Sequence, residues 1–187
     1  VPRAFDIAVS LIALAVLSPV LLIAAIAIKL GSAGPVIYRQ RRVGLAGEEF
    51  EMLKLRTMVQ GSDPVGVGVA VSRDDPRVTA AGRVLRRTSL DEIPNLVNVL
   101  RGEMAIVGPR PTIPTQVEGY TERQKRRHEV RPGITGWAQV QGRAGIPWEE
   151  RIELDLWYVE HRTAALDARI LTMTAWRLVS GHGLAPD

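Results

Sequence analysis

Residues Arg86 to Pro111 read RRTSLDEIPNLVNVLRGEMAIVGPRP. Ile93, Leu96, Val97 and Leu100 fall at i, i+3, i+4 and i+7, the spacing of one apolar helical face. Ser89, with Glu92 three residues later, fits a capping box, so the helix is expected to begin close to the acid pair Asp91–Glu92. Gly102 supplies its stop. Acids in a first turn complement the helix dipole and contribute about 0.3–1 kcal/mol, and on that reading Asp91 and Glu92 are only cap residues. Their neighbours point elsewhere. Arg86 and Arg87 precede the pair, and Arg110 follows between Pro109 and Pro111. Cations beside free helix N–H groups make a place for a phosphate. A carboxylate inside such a place repels the ligand, and it makes sense there as a nucleophile, a base or a metal ligand.

Working outward toward the N-terminus, Thr79–Arg87 reads as a short helix that carries Arg83, Arg86 and Arg87 toward the acid pair. Residues 61–78, rich in Gly, Asp and Val, read as a surface loop. Gly66-Val67-Gly68 lacks the third glycine of a dinucleotide fingerprint. Before it, Val36–Tyr38 and Phe50–Leu55 read as two strands joined by a turn at Gly44–Gly47, a β-hairpin. Alternation along KLRTM places Lys54 and Arg56 on one face, either as a second basic spot or as two solvated strand residues.

From Ile7 to Ile28 there are 22 residues without a charge, more than the roughly 18–20 that mark a membrane helix. Ser18-Pro19 interrupts this run near its middle, where a kink is expected, and the Ser18 hydroxyl can satisfy a freed carbonyl. The segment is either a kinked spanning helix or a re-entrant one that enters and leaves on one face. Arg3 precedes it, and Lys29, Arg39, Arg41 and Arg42 follow. The positive-inside bias therefore puts its C-terminal flank in the cytoplasm. The expected organisation is a re-entrant membrane helix over 1–31 and a cytoplasmic, membrane-associated catalytic domain over 32–187.

Toward the C-terminus, Gln116–Glu129 reads as a polar helix whose Arg123, Lys125, Arg126 and Arg127 form a solvated face. Next comes RPGITGWAQVQGR, Arg131–Arg143. Its three glycines imply close backbone approach. Trp137 and the glutamines either recognise a base or sugar or belong to a tight structural turn. Trp148–Glu160 is a helix carrying Asp155. In the last helix, Thr163–Val179, the residues Leu166, Ile170, Met173, Trp176 and Val179 share one side, which suits the membrane interface or the core.

Of the 24 cations, 21 are arginine and the net charge is +4, which suits phosphate recognition and an anionic lipid surface. There is no cysteine, which excludes disulfides and thiolate chemistry. His128, His161 and His182 lack ligand-like spacing, which argues against zinc. A basic nucleic-acid-binding protein would lack any recognised binding module here. A non-catalytic membrane scaffold would leave the acid pair unexplained.

The chain resembles the bacterial sugar transferases, monotopic phosphoglycosyl transferases that act on polyprenol phosphate, in their compact form. The resemblance rests on the apolar segment with Ser18-Pro19, GPVIYRQRRVG (34–44), KLRTM (54–58), SLDEIPNLVNVLRGEMAIVGPRP (89–111), RPGITGWAQVQGR (131–143) and LDLWYVEHRT (154–163). It implies an α+β fold, mainly helical with a small β-hairpin, a kinked re-entrant N-terminal helix and amphipathic interfacial helices. It implies transfer of a sugar-1-phosphate from a nucleotide-diphosphate sugar, a UDP-sugar, to polyprenol phosphate at the bacterial inner membrane, the first membrane step of glycoconjugate or exopolysaccharide synthesis. Asp91 matches the family's nucleophile and Glu92 its second catalytic acid. Mg²⁺ is the implied cofactor, with the pair as its ligands. Lys54, Arg86, Arg110, Arg131, Gln139, Arg143 and Asp155 are the candidate substrate contacts. Expected partners are the nucleotide-sugar, polyprenol phosphate and membrane lipid, with a second copy or pathway glycosyltransferases, and no nucleic acid.

Overall fold

A computed structural model describes residues 2–62, 75–142 and 145–180, and its longest element is α1, Arg3–Gly31. The helix runs through Pro19, which cannot donate to the Ala15 carbonyl; the Ser18 hydroxyl donates to it instead, at 2.8 Å. One stripe of α1 packs on the rest of the protein. Asp6, Ser10, Ala24 and Ile28 are buried along it. The opposite side stays apolar and exposed, with Ile12 64%, Val16 69% and Ile23 68% exposed.

Both ends of α1 are tied down. At the N-terminal end, Arg3 donates to the carbonyls of Val99 and Leu100, and Asp6 accepts the Ile106 N–H at 3.2 Å. At the C-terminal end, the buried Arg56 guanidinium donates to the carbonyls of Ala33 and Ser32. Arg56 thus fills the place of a C-terminal cap, where a cation also meets the negative end of the helix dipole. The expected basic spot of Lys54 and Arg56 is divided: Lys54 faces the acid pair, and Arg56 serves α1.

The expected hairpin forms. β1, Ile37–Val43, pairs antiparallel with β2, Glu49–Leu55, in a register running from Ile37 opposite Leu55 to Val43 opposite Glu49. A tight turn at Leu45–Gly47 joins them. α2, Ala80–Thr88, begins at Thr79, whose hydroxyl accepts the Gly82 N–H at 2.9 Å.

The expected capping box at Ser89 is absent. Ser89 is left-handed (φ 56°) and terminates α2, and Leu90–Glu92 form a single 3-10 turn. α3, Asn95–Arg101, starts only after Pro94. The Glu92 side chain is drawn away to Lys54 and Arg110, so it cannot reach back to the Ser89 N–H. Gly102 ends α3 as expected, at φ 86°. The buried face of α3 is also rotated from the apolar repeat and is formed by Asn95, Leu96, Asn98 and Val99. Asn98 earns its burial by hydrogen bonding: its amide donates to Glu51 O at 2.7 Å and accepts from Leu53 N at 3.0 Å, lashing α3 to β2.

A second, two-stranded sheet has no counterpart in the sequence reading. β3, Ala105–Val107, pairs parallel with β4, Gly133–Thr135. Between them the polar segment breaks into α4, Pro114–Val117, and α5, Glu122–Lys125, rather than one helix. Thr121 and Gln124 form a capping box that starts α5 afresh. After β4 come α6, Trp137–Gln141, α7, Trp148–His161, and α8, Ala164–Ser180. Val99, Met104, Trp137, Tyr158 and Ile170 centre the main core; full burial of such a side chain contributes about 1.5–3 kcal/mol. Ile170 is fully buried, so this part of α8 is core, while Trp176 is 72% exposed.

Candidate active site

Three supports bring the acid pair and its cations together. Asp91 and Glu92 stand in the 3-10 turn between α2 and α3. Lys54 comes from β2, next to Leu53, which Asn98 anchors. Arg86 comes from α2. This helix lies so close to the 57–58 segment that a Cβ on Gly82 would stand 2.0 Å from Thr57 O, and Arg86 Nε reaches the Thr57 hydroxyl at 2.9 Å. A glycine inside an amphipathic helix was the one sequence signal for this contact.

Arg110 is held by its loop. Pro109 and Pro111 bring no N–H, and every carbonyl from 109 to 112 accepts a hydrogen bond from elsewhere. Gly133 N donates to Pro109 O at 2.9 Å, Arg127 to Arg110 O at 3.0 Å, Arg42 to Pro111 O at 3.0 Å and Val43 N to Thr112 O at 2.8 Å. The close backbone approach expected of the 131–143 glycines is made here. A Cβ on Gly133 would meet Gly108 N at 2.1 Å, and one on Gly136 would meet Gly108 O at 2.1 Å.

Glu92 is shared by two cations, Lys54 Nζ at 2.8 Å and Arg110 Nη2 at 2.5 Å, both on Oε1. Burial pushes its carboxyl up, but Arg110 and Lys54 together hold it well below the usual carboxylate range. Asp91 differs. It accepts no hydrogen bond among the described residues and lines a cavity of about 690 Å³ together with Lys54, Arg86 and Arg110. Burial and the adjacent Glu92 push its pKa up, against the pull of Lys54, Arg86 and Arg110. Two neighbouring acids are thus driven apart, the pattern that separates acid–base or nucleophilic roles. One is locked ionised between cations. The other faces open space with its lone pairs free.

The remaining candidate contacts have other partners. Arg131 donates to Gly102 O at 2.9 Å, at the end of α3. Gln139 donates to Ile134 O at 2.8 Å, and its buried Oε1 has no partner among the described residues. Asp155 is buried in an ion pair with Arg127, which also bonds the Tyr120 hydroxyl at 2.8 Å. Arg127 is therefore core rather than solvated face, although Arg123, Lys125 and Arg126 are exposed. Arg143 lies outside the described residues. Trp137 is core, stacked on Trp157 at 5.1 Å.

Among the described residues no cluster of three His, Cys, Asp or Glu side chains gathers around one point. The donor set suits a hard cation that shares its ligands with a substrate. Mg²⁺ typically takes one or two carboxylates plus phosphate oxygens and water, and Asp91 is a carboxylate with unengaged oxygens in a basic cavity.

The profile of the bacterial sugar transferases matches residues 1–181. The chain is 43% identical over 184 residues to "Uncharacterized sugar transferase EpsL" of Bacillus subtilis, covering 97% of this chain and 89% of that protein. It is 44% identical over 184 residues to the UDP-glucose:undecaprenyl-phosphate glucose-1-phosphate transferase of Escherichia coli, covering 94% and 39%. It is 39% identical over 189 residues to the UDP-N-acetylgalactosamine-undecaprenyl-phosphate N-acetylgalactosaminephosphotransferase of Aeromonas hydrophila, covering 98% and 44%. The chain thus spans nearly all of the first and less than half of the other two.

Proposed function

The chain belongs to the bacterial sugar transferase family, and from that premise we propose that it moves a sugar-1-phosphate from a UDP-sugar to polyprenol phosphate. The observation that carries this reading is Asp91, which accepts no hydrogen bond among the described residues and lines a cavity into which Lys54, Arg86 and Arg110 also project. In the first half, an Asp91 oxygen attacks the phosphorus nearest the sugar. The bond from that phosphorus to the bridging oxygen breaks, and UMP leaves with the electron pair. In the second half, an oxygen of polyprenol phosphate attacks the same phosphorus and Asp91 departs as carboxylate, giving polyprenol-diphosphate sugar. An anionic nucleophile approaches a diphosphate only where cations neutralise the phosphate oxygens. Lys54, Arg86 and Arg110 are placed for that, and Glu92 keeps two of them aimed. Mg²⁺ held by Asp91 and the substrate phosphates would supply further charge neutralisation. The relatives' names carry different sugars, so the sugar is left to experiment. Incubation with a panel of UDP-sugars, polyprenol phosphate and Mg²⁺ should release UMP with at least one of them. EDTA should stop the release and added Mg²⁺ restore it. No UMP from any member of the panel sinks the reading, and insensitivity to EDTA removes the metal from it.

Asp91 must be ionised to attack. kcat/KM should therefore fall as pH drops through a value above the ordinary aspartate range, since burial and Glu92 raise this group. Lys54 is among the charges that lower it. Lys54→Met removes that pull, so the acid limb of the kcat/KM profile should move to higher pH. A limb that stays put or moves down would mean that another group titrates.

The membrane placement proposed is one-sided, with α1 re-entrant and the catalytic domain on the cytoplasmic face. A spanning helix puts its two ends on opposite sides, yet Arg3 and Asp6 at one end and Ile28 at the other are bound to the same body. The chain lacks cysteine, so single cysteines report cleanly. Cysteines at Ala4 and at Gly47 should both be labelled by an impermeant reagent only after cells are opened. Labelling of Ala4→Cys in intact cells would establish a spanning helix.

A further inference from the structure

β1 sorts its charges by face. Arg39 and Arg41 point to one side, where Glu51 and Glu49 of β2 match them at 3.0 and 3.9 Å. Tyr38, Gln40 and Arg42 alternate to the other side and line the cavity that holds Asp91. Among the described residues Arg42 forms no ion pair there, and Glu92 acts on it only through space. Its three hydrogen bonds go to neutral oxygens: Nε and Nη2 to Gln40 Oε1 at 3.2 and 2.6 Å, and Nη1 to Pro111 O at 3.0 Å. The nearest acid of the site, Glu92, is already shared by Lys54 and Arg110. A half-buried guanidinium held only by neutral oxygens loses hydration without gaining a paired carboxylate. The expense is intelligible where an anion arrives to meet it.

A charge count around the cavity agrees. Arg39 is matched by Glu51, and Arg56 is committed to the carbonyls that end α1. Among the described residues, Arg42, Lys54, Arg86 and Arg110 then meet Asp91 and Glu92, four cations to two acids, while Asp75, which also acts on Arg86, is paired with Arg77. Burial, and then the repulsion of Arg110, pull Arg42 down to about 10, as expected for a cation in an undercompensated positive site.

We propose that Arg42, aimed by Gln40, binds the phosphate that is not the one bonded to Asp91. This deepens the transferase reading and rests on it. The ligand chemistry is a phosphate oxyanion met by the two guanidinium N–H groups that Gln40 and Pro111 leave open. It has two sources: the phosphate that departs with the nucleotide, or the phosphate of the incoming lipid. Because Arg42 also bonds Pro111 O, a purely structural role in holding the Arg110 loop is the competing account.

Binding separates the two accounts without turnover. In the purified full chain, UMP affinity is measured by calorimetry, and the KM for a short-chain polyprenol phosphate by steady-state assay, for wild type, Arg42→Lys and Arg42→Met. Loss of a charge-assisted contact predicts an increase of about tenfold or more in one of them for Arg42→Met, with Arg42→Lys between. Weaker UMP binding with an unchanged lipid KM assigns the nucleotide phosphate. A raised lipid KM with unchanged UMP binding assigns the lipid phosphate. If both stay within twofold of wild type while kcat or thermal stability falls, the proposal is overturned and Arg42 only braces the loop. Should Arg42→Met not fold, Gln40→Leu keeps the charge but removes its aim. It should raise the same constant severalfold, and no change in either constant overturns the proposal. UMP affinity is read on its own, so a wild-type chain that binds UMP but turns over no UDP-sugar would sink the transferase reading and still test Arg42.

Discussion

Asp91→Asn is expected to leave the protein folded and membrane-bound while lowering turnover by roughly three orders of magnitude or more, the scale on which deleting a nucleophile acts. Asparagine keeps the shape of the side chain and loses the attacking oxyanion. Stability should change little, because Asp91 accepts no hydrogen bond among the described residues and its burial already disfavours the charge. A cap residue would behave in the opposite way, with a loss of stability and nearly full activity. The same residue decides between two-step and direct transfer. With UDP-sugar and Mg²⁺ but no lipid, UMP should appear in a burst of about one per active enzyme, as when a covalent enzyme accumulates. Intact-mass analysis should find a sugar-phosphate adduct on Asp91. Full turnover without burst or adduct would make Asp91 a base or metal ligand in direct transfer, and the covalent step would be withdrawn.

Breaking the Arg127–Asp155 pair should be the most damaging change outside the cavity. Both side chains are buried, at 3% and 4% exposure, and removing one partner leaves the other charge buried without compensation, which costs about 3–5 kcal/mol. For a chain of this size that is a fall in Tm of roughly 10 °C. Arg127→Met also removes the donor to Arg110 O, so the residual activity of the folded fraction should drop as well. The double variant Arg127→Met/Asp155→Leu should lose less stability than either single change, because no unpaired charge remains. Thermal unfolding of the four proteins in one detergent decides it. Single variants that melt within about 2 °C of wild type would show that the pair contributes nothing.

Much of the cavity was legible from local pattern. The acids at the head of the Leu96 helix and the arginine between two prolines both signalled charge gathered without a structural purpose, and Lys54, Arg86 and Arg110 do line the cavity with Asp91. Asp155 has a partner, Arg127, that local pattern does not reveal. An acid beside aromatic residues on a helix looks the same whether it meets a ligand or a buried arginine 28 residues away. Gly133 and Gly136 do make the close backbone approach that the 131–143 pattern implies, and their partner is the Gly108 backbone.

The sequence by itself determined the elements whose causes are local: the long uncharged helix and the Ser18 compensation for Pro19, the hairpin, and the ends of helices at Thr79 and Gly102. Only the tertiary structure decided what long-range pairing controls. The three-residue strands β3 and β4 exist because each completes the other's hydrogen bonds across 28 residues. The Ser89 cap is absent because Glu92 binds Lys54 and Arg110 more strongly than it would bind one N–H. Whether a cation is matched also depends on which acid the fold places opposite it. Arg39, Arg41 and Arg42 look alike in RQRR, and only the β1–β2 register pairs the first two with acids and turns the third toward the cavity.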